Sequence, residues 1–210
     1  YNRGTEKRDV FTCFYDYQRF INTLEHYLYF PNDQFNILKK AFEKGILDKE
    51  KLKEMRSKKP LVDILSVTLM PNHFHLLLKQ LEPKGISEFM QKVGCSYVSY
   101  FNLKYDRTGT LFESRFKTVR IGDDAQLKCA SRYVHINQEE LLGKSCSFED
   151  LVQYPWSSLG FYFDVPTNPF VFCNKKITMS LFSGVSDYKR FLQVELTSYQ
   201  RYLMEELALE

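Results

Sequence analysis

The stretch that decides the fold is DILSVTLMPNHFHLLLKQ, residues 63–80. Residues 63–70 and 73–80 are rich in β-branched and aliphatic side chains, and Pro71-Asn72 lies between them, which is typical of a β-hairpin. Both predicted strands are apolar on both faces. Strands of this kind belong to the middle of a sheet that is covered by helices on both sides.

Helical patterns flank the hairpin. Apolar residues recur at helical spacing from Asp16 to about Phe30, where Pro31 ends the pattern. Further elements are predicted as follows: the end of a strand at 1–4, helices at 86–105 and 125–142, a loop followed by a strand at 107–122, and a final helix from about Asp187. This order predicts an α+β fold, a ferredoxin-like antiparallel sheet flanked by helices.

The chain divides into a core and an extension. We expect residues 1–143 to form the core, residues 31–60 to be a charged helical insertion after the first helix, and residues 144–210 to be a C-terminal helical extension packed on the core. The extension contains the segment YPWSS (154–158) and a stretch broken by proline and asparagine around 166–169.

Composition sets only broad limits on function. The 210 residues carry a net charge of +3, and 44% are hydrophobic, as in many soluble globular proteins. The five cysteines are scattered without a Cys-x-x-Cys pair, and no apolar run approaches the length of a membrane span. These features predict a reduced, cytoplasmic protein that does not associate with membranes.

Two of the four histidines lie one residue apart in the second strand of the hairpin. Side chains at i and i+2 of a strand share a face, so His73 and His75 project side by side while Phe74 points the other way. Two imidazoles at this spacing are able to ligate one ion. The alternative is two buried histidines that each hydrogen-bond to the backbone. A metal site needs a third ligand from elsewhere in the fold.

The helix predicted at 125–142 offers a candidate for that ligand. Asn137 falls on the apolar stripe of this helix, where an aliphatic residue is expected, and a buried amide needs a partner. Tyr133 precedes it by one helical turn and therefore lies on the same side. The alternative is that Tyr133 is one more of 14 tyrosines and that Asn137 caps a fraying helix end.

These motifs together resemble the HUH single-strand DNA transposases, and more narrowly the REP-associated tyrosine transposases, relatives of the insertion-sequence-200 type enzymes. The similar pieces occur in the family's order over nearly the whole chain outside 31–60: YNRG (1–4), DYQRF (16–20), MPNHFHLLL (70–78), YFN (100–102), RTGTLFESRFK (107–117), YVHIN (133–137), YPWSS (154–158) and DYKRF (187–191). After Asn137 the chain departs from the family, because Gln138-Glu139-Glu140 replaces a segment that often reads Pro-Val-Arg-Ala-Gly.

The resemblance implies a metal-dependent endonuclease and strand transferase that acts on single-stranded or hairpin-containing DNA. His73, His75 and Asn137 would hold a divalent ion, and Tyr133 would be the nucleophile that becomes linked to a 5′-phosphate. Mg²⁺ or Mn²⁺ suits two imidazoles and one amide oxygen with open positions for phosphate. The chain has no glycine-rich phosphate loop, and we expect no nucleotide cofactor.

Basic residues near the loop at 107–122 are the predicted DNA contacts. They alternate with Phe112 and Phe116, a pattern suited to gripping a backbone while stacking bases. The predicted set is Arg3, Arg107, Arg115, Lys117 and Arg120. A solvated basic face with core phenylalanines is the alternative. The expected setting is the cytoplasm of a prokaryotic cell, near the nucleoid, with the protein acting as a monomer or homodimer.

Three rival functions stay open from the sequence. The first is a catalytically silent protein that descends from such a transposase and still binds hairpin DNA. The second is a metal-dependent hydrolase in which water is the nucleophile and Tyr133 is a bystander. The third is a structural protein in which the histidine pair is coincidental.

Overall fold

The computed structural model describes residues 1–30, 60–143 and 145–194. The fold is α+β and contains a three-stranded antiparallel sheet in the order β1-β3-β2. The predicted hairpin is confirmed as β2 (Val62–Met70) and β3 (His73–Gln80), with Met70 opposite His73. The short strand β1 (Asn2–Arg3) pairs with the other edge of β3. The histidine strand is therefore the central strand of the sheet.

The strand predicted within 107–122 does not form, and this prediction was wrong. Residues 111–117 instead run beside β1, where Leu111 O accepts from Thr5 N at 3.0 Å and Glu113 N donates to Arg3 O at 2.9 Å. A regular ladder cannot extend there because β1 is two residues long and a 3₁₀ turn at Thr5–Lys7 follows it. The segment still occupies the place of the fourth strand of a ferredoxin-like sheet, next to β1.

Helices cover both faces of the sheet, as predicted. Helices α1 (Phe14–Tyr29) and α2 (Gly85–Lys104) lie on one face, where Phe74 packs with its ring centroid 4.8 Å from that of Phe20. Helix α3 (Asp124–Ile136) lies on the other face and packs on Leu65 and Leu77. The alternation of side chains along β3 therefore sends Phe74 into the main core and the two histidines toward α3.

A buried carboxylate anchors the loop that supports the hairpin turn. Asp16 accepts hydrogen bonds from Thr12 N at 3.0 Å and from Lys104 Nζ at 2.6 Å. Burial alone would raise the pKa of this carboxyl, but Lys104 and the hydroxyl and backbone donors around it hold the pKa well below its usual range. The backbone N–H groups of residues 10 and 11 donate to Pro71 O at 2.8 and 2.9 Å. This loop therefore holds the turn before His73 through two backbone hydrogen bonds.

Helix α3 is shorter than the predicted helix at 125–142. It begins at the Asp123 cap, whose carboxylate accepts from Gln126 N at 2.8 Å, and it ends at Ile136. A separate turn, α4 (Glu139–Leu142), follows. The break coincides with Gln138, which is buried and donates through Nε2 to Leu151 O at 3.3 Å. This bond ties the break between α3 and α4 to the following helix, α5 (Phe148–Gln153).

The C-terminal part is helical and packs against the core. It contains α5 (Phe148–Gln153), α6 (Leu159–Tyr162), α7 (Lys175–Met179) and α8 (Val185–Gln193), and the last of these confirms the predicted final helix. The YPWSS segment runs along the outer edge of β2, where Leu69 N donates to Trp156 O at 2.9 Å. His135, a neighbour of the YPWSS segment, is fully buried. This burial lowers the pKa of its imidazole to about 3.

Two predictions concern features beyond these elements. The predicted helical insertion at 31–60 lies outside the described residues, apart from Pro60. In the described ranges, no helix has both the length and the apolar character that crossing a membrane requires.

Candidate active site

The two histidines of β3 lie side by side under α3. His73 is 4% exposed and His75 is 3% exposed, and their ring centroids are 5.1 Å apart with the rings perpendicular. This pairing follows from the two-residue period of the strand. Both rings therefore lie on the face of the sheet that α3 covers.

Helix α3 brings the other two predicted side chains to this space. Asn137 Oδ1 lies 3.3 Å from His73 Nε2, and the Tyr133 ring centroid lies 5.0 Å from that of His75. The two helix residues are spaced like the two histidines, because four residues of helix rise about 6 Å and two residues of strand rise about 6.6 Å. With α3 antiparallel to β3, each member of the helical pair faces one histidine.

Asn72 is a further residue of the site. Its Oδ1 lies 2.6 Å from His73 Nδ1, so the amide oxygen accepts the ring N–H there. A neutral imidazole has only one N–H. If that N–H stays on Nδ1, where Asn72 accepts it, the Nε2 lone pair is available to a cation. Asn137 Oδ1 lies 3.3 Å from Nε2, so the same cation would also be within reach of the amide oxygen.

The spacing of the His73 and Asn137 donor atoms suits a divalent ion. Two ligand atoms that are each about 2.1 Å from an ion and at right angles lie about 3 Å apart, close to the spacing of the His73 and Asn137 atoms. Among residues 1–30, 60–143 and 145–194, no three His, Cys, Asp or Glu side chains form a cluster that could hold a metal ion. The residues able to hold one here are His73 and His75 with the Asn137 amide oxygen.

Tyr1 is a second site residue that sequence reasoning missed. Its ring stacks on His75 at 4.9 Å between centroids and meets His73 edge-on at 5.7 Å. The register explains this position, since Asn2 pairs with Phe74 and its neighbour Tyr1 therefore falls beside His75. Only the pairing of β1 with β3 reveals this contact. Asn72 could have been suspected from its place directly before His73.

A groove of about 1620 Å³ opens from the site. Tyr1, His75 and Tyr133 line it at the site, and it continues between α2 and the extended segment 109–121. Its walls combine apolar side chains such as Met90 and Phe116 with polar and basic ones. A groove with this lining is suited to an extended polymer whose units have a flat apolar face and a charged backbone.

The five predicted DNA contacts do not all lie in the groove. Arg115, Lys117 and Arg120 line the groove. Arg3 lies in β1 opposite His73, with its guanidinium 5.5 Å from the centre of the Tyr1 ring. Arg107 is not among the groove residues, because its guanidinium lies 5.7 Å from the Phe101 ring centre and donates to Asn102 Oδ1 at 3.4 Å.

Comparison with known families gives one match. Residues 21–137 match the family model described as Transposase IS200 like. This match spans more than half of the chain and includes both strand histidines, Tyr133 and Asn137. The chain is a member of the IS200-like transposase family, a class of DNA-processing enzymes, and the resemblance inferred from the motifs is confirmed. No curated protein and no solved structure matches the chain.

Proposed function

We propose that this chain is a metal-dependent single-strand DNA endonuclease and strand transferase that forms a 5′-phosphotyrosine intermediate on hairpin-containing DNA. The observation that carries the proposal is the convergence, within one chain, of the Tyr133 ring on His75 at 5.0 Å and of the Asn137 oxygen on His73 at 3.3 Å. The groove leads DNA to this point. The choice of hairpin DNA rests on the family resemblance.

Each side chain has a distinct role in the proposed reaction. His73, His75 and Asn137 would hold a Mg²⁺ or Mn²⁺ ion, which would supply neutralisation of the charge on the scissile phosphate and of the negative charge that develops. The Tyr133 oxygen attacks phosphorus, the bond from phosphorus to the 3′-oxygen breaks, the phenolic proton is lost, and the leaving 3′-oxygen is protonated. An unperturbed tyrosine has a pKa of about 10, so its ionisation at pH 7 costs roughly 4 kcal/mol.

The covalent link explains how cutting can lead to joining. The phosphotyrosine bond is itself a phosphodiester, so a 3′-hydroxyl that attacks the same phosphorus restores a DNA strand and releases the Tyr133 oxygen. No nucleotide cofactor is needed for this exchange because one phosphodiester replaces another. Asn72 holds His73 in the tautomer whose Nε2 is unprotonated, which is the form that is able to ligate a cation.

A cleavage assay tests the proposal. The purified chain is incubated with end-labelled single-stranded oligonucleotides that contain hairpins, with Mn²⁺ and with EDTA, and the products are run on a denaturing gel. A label that migrates with the protein only with Mn²⁺ supports the transferase. Binding without cleavage would support the silent hairpin-binding protein, and cleavage without an adduct would support a hydrolase that uses water. Either outcome overturns the proposal.

Groove arginines should contribute to DNA affinity, and Arg107 should not. Arg115→Ala and Arg120→Ala are each expected to weaken binding of a single-stranded oligonucleotide about 3- to 10-fold near 0.1 M salt. Each should also lower the slope of log K against log salt by about 0.7, because one phosphate contact is lost. The measurement is fluorescence anisotropy over a salt series. Arg107→Ala is the matched control, and an equal effect there would mean that the groove is not the DNA path.

Asn72 should control how well the site binds metal. Replacing Asn72 with Ala removes the oxygen 2.6 Å from His73 Nδ1, so one restraint on the orientation and tautomer of the ring is lost. Loss of such a partner typically costs 10- to 100-fold in metal affinity. Titration of Mn²⁺ against the thermal unfolding midpoint measures this loss without reference to activity. An unchanged Mn²⁺ midpoint in Asn72→Ala would contradict the assigned role of Asn72.

A further inference from the structure

We propose that the C-terminal motifs YPWSS (154–158) and DYKRF (187–191) position the helix that carries Tyr133 and Asn137, and that Ser158 and Tyr188 are positioning residues for strand transfer that act through His135. This inference rests on the proposed function. It assigns a task within the reaction to two segments that lie outside the matched family region of 21–137.

The centre of this contact is His135, two residues after Tyr133. Its Nδ1 lies 2.6 Å from Tyr188 Oη, and its Nε2 lies 2.8 Å from Ser158 Oγ. All three residues are fully buried. One ring nitrogen donates and the other accepts, so both hydroxyls are required to satisfy this imidazole. A buried ring held at both nitrogens cannot turn without leaving a polar atom unpaired, which is unfavourable.

A second anchor ties α3 to the histidine hairpin itself. Thr68 Oγ1 donates to Val134 O at 2.6 Å, and Thr68 is the residue that pairs with His75 across the sheet. Ser157 Oγ lies 3.0 Å from the same Thr68 hydroxyl. Ser158 Oγ accepts from Val67 N at 2.9 Å. Thr68 therefore joins the backbone of α3 directly to β2, Ser157 contacts the Thr68 hydroxyl, and Ser158 joins the His135 side chain to the same strand.

A third anchor comes from α8. The Arg132 guanidinium donates to Phe191 O and lies 5.8 Å from the Phe191 ring centre. Residues 132, 134 and 135 are thus all held from outside α3, and Tyr133 lies between them. Successive helix residues point about 100° apart, so these contacts fix both the rotation and the height of α3. The direction of the Tyr133 ring toward His75 follows from this fixed orientation.

A displaced α3 should lower the rate of strand transfer more than the affinity for DNA. Tyr133 and Asn137 must meet the phosphate and the histidines at the same time, and a misplacement of about 1 Å can cost on the order of 100-fold in rate. The C-terminal motifs do not line the groove, so their loss should leave DNA binding intact. This split between rate and affinity distinguishes positioning residues from DNA contacts.

The test compares two buried phenols of the same cluster. Tyr188→Phe removes the hydroxyl bound to His135 and keeps the ring. Tyr162→Phe is the matched control, because its hydroxyl is equally buried but donates to Leu65 O at 2.9 Å and makes no bond to α3. We expect Tyr188→Phe to lower the single-turnover rate of adduct formation on a hairpin oligonucleotide at least 10-fold, with oligonucleotide Kd within about 2-fold of the parent. Tyr162→Phe should keep the rate within about 2-fold.

Hydrogen exchange gives a readout that does not depend on activity. Amides of residues 132–137 should exchange faster in Tyr188→Phe than in Tyr162→Phe, since only the first variant releases α3. Equal rates of adduct formation in both variants, or equal losses that track a common fall in thermal stability, would overturn the inference. A parent chain that forms no adduct would instead refute the proposed function, so the two failures are distinguishable.

Discussion

Tyr133→Phe is expected to abolish the covalent protein-DNA adduct and to lower strand cleavage by a factor on the order of 10⁴ or more, the scale seen when a nucleophile is removed. The ring that lies 5.0 Å from His75 is retained, so packing and DNA affinity should change little. Cleavage is measured in single-turnover assays with Mn²⁺, and affinity is measured by anisotropy on the same oligonucleotide.

The matched control for this variant is Tyr1→Phe. The centroid of the Tyr1 ring lies 4.9 Å from that of His75, so Tyr1 is a second phenol in contact with the same histidine. We expect Tyr1→Phe still to form the adduct. Cleavage by Tyr133→Phe near the parent rate would show that water or another side chain attacks the phosphate. Loss of the adduct in Tyr1→Phe alone would show that Tyr1, and not Tyr133, is the nucleophile.

Loss of either strand histidine should remove both metal binding and cleavage. His73→Ala and His75→Ala each delete one of the proposed ligands, and we expect cleavage to fall by a factor on the order of 10³ or more. For the parent, Mn²⁺ at 100 times its Kd should add about 2.7 kcal/mol to the free energy of unfolding. Neither variant should show this gain in thermal or chemical unfolding.

The control for the histidine variants is His26→Ala. His26 lies in α1, where its ring stacks on Phe30 at 5.5 Å, on the other face of the sheet. This variant should keep the full stabilisation by Mn²⁺. A Mn²⁺-dependent gain that survives in both His73→Ala and His75→Ala would place the metal elsewhere and would remove the chemical basis of the proposed reaction.

The convergence of the four candidate side chains could be predicted because two local periodicities match. The His-x-His spacing fixes two rings on one face of a strand, and the Tyr133 to Asn137 spacing fixes two side chains on one face of a helix. These repeats have nearly the same length, so packing α3 against β3 brings all four groups together. The hairpin and the flanking helices followed in the same way from strong local patterns.

The features that sequence reasoning missed depend on long-range contacts. The 107–122 segment has strand-like residues, yet its partner β1 ends after two residues, so no regular strand forms. Helix α3 ends at Ile136, near the point where Gln138 donates to Leu151 O from a distant part of the chain. Tyr1 reaches His75 only through the register of β1 on β3. No periodicity within a single segment contains this information.

Mass spectrometry of the trapped adduct tests the central claim most directly. The chain is reacted with Mn²⁺ and a hairpin oligonucleotide, digested with protease and nuclease, and searched for a peptide that carries a nucleotide. The account predicts one modified peptide, with a 5′-phosphorylated nucleotide on the Tyr133 oxygen. A nucleotide attached to another residue, or efficient cleavage with no modified peptide, would contradict it.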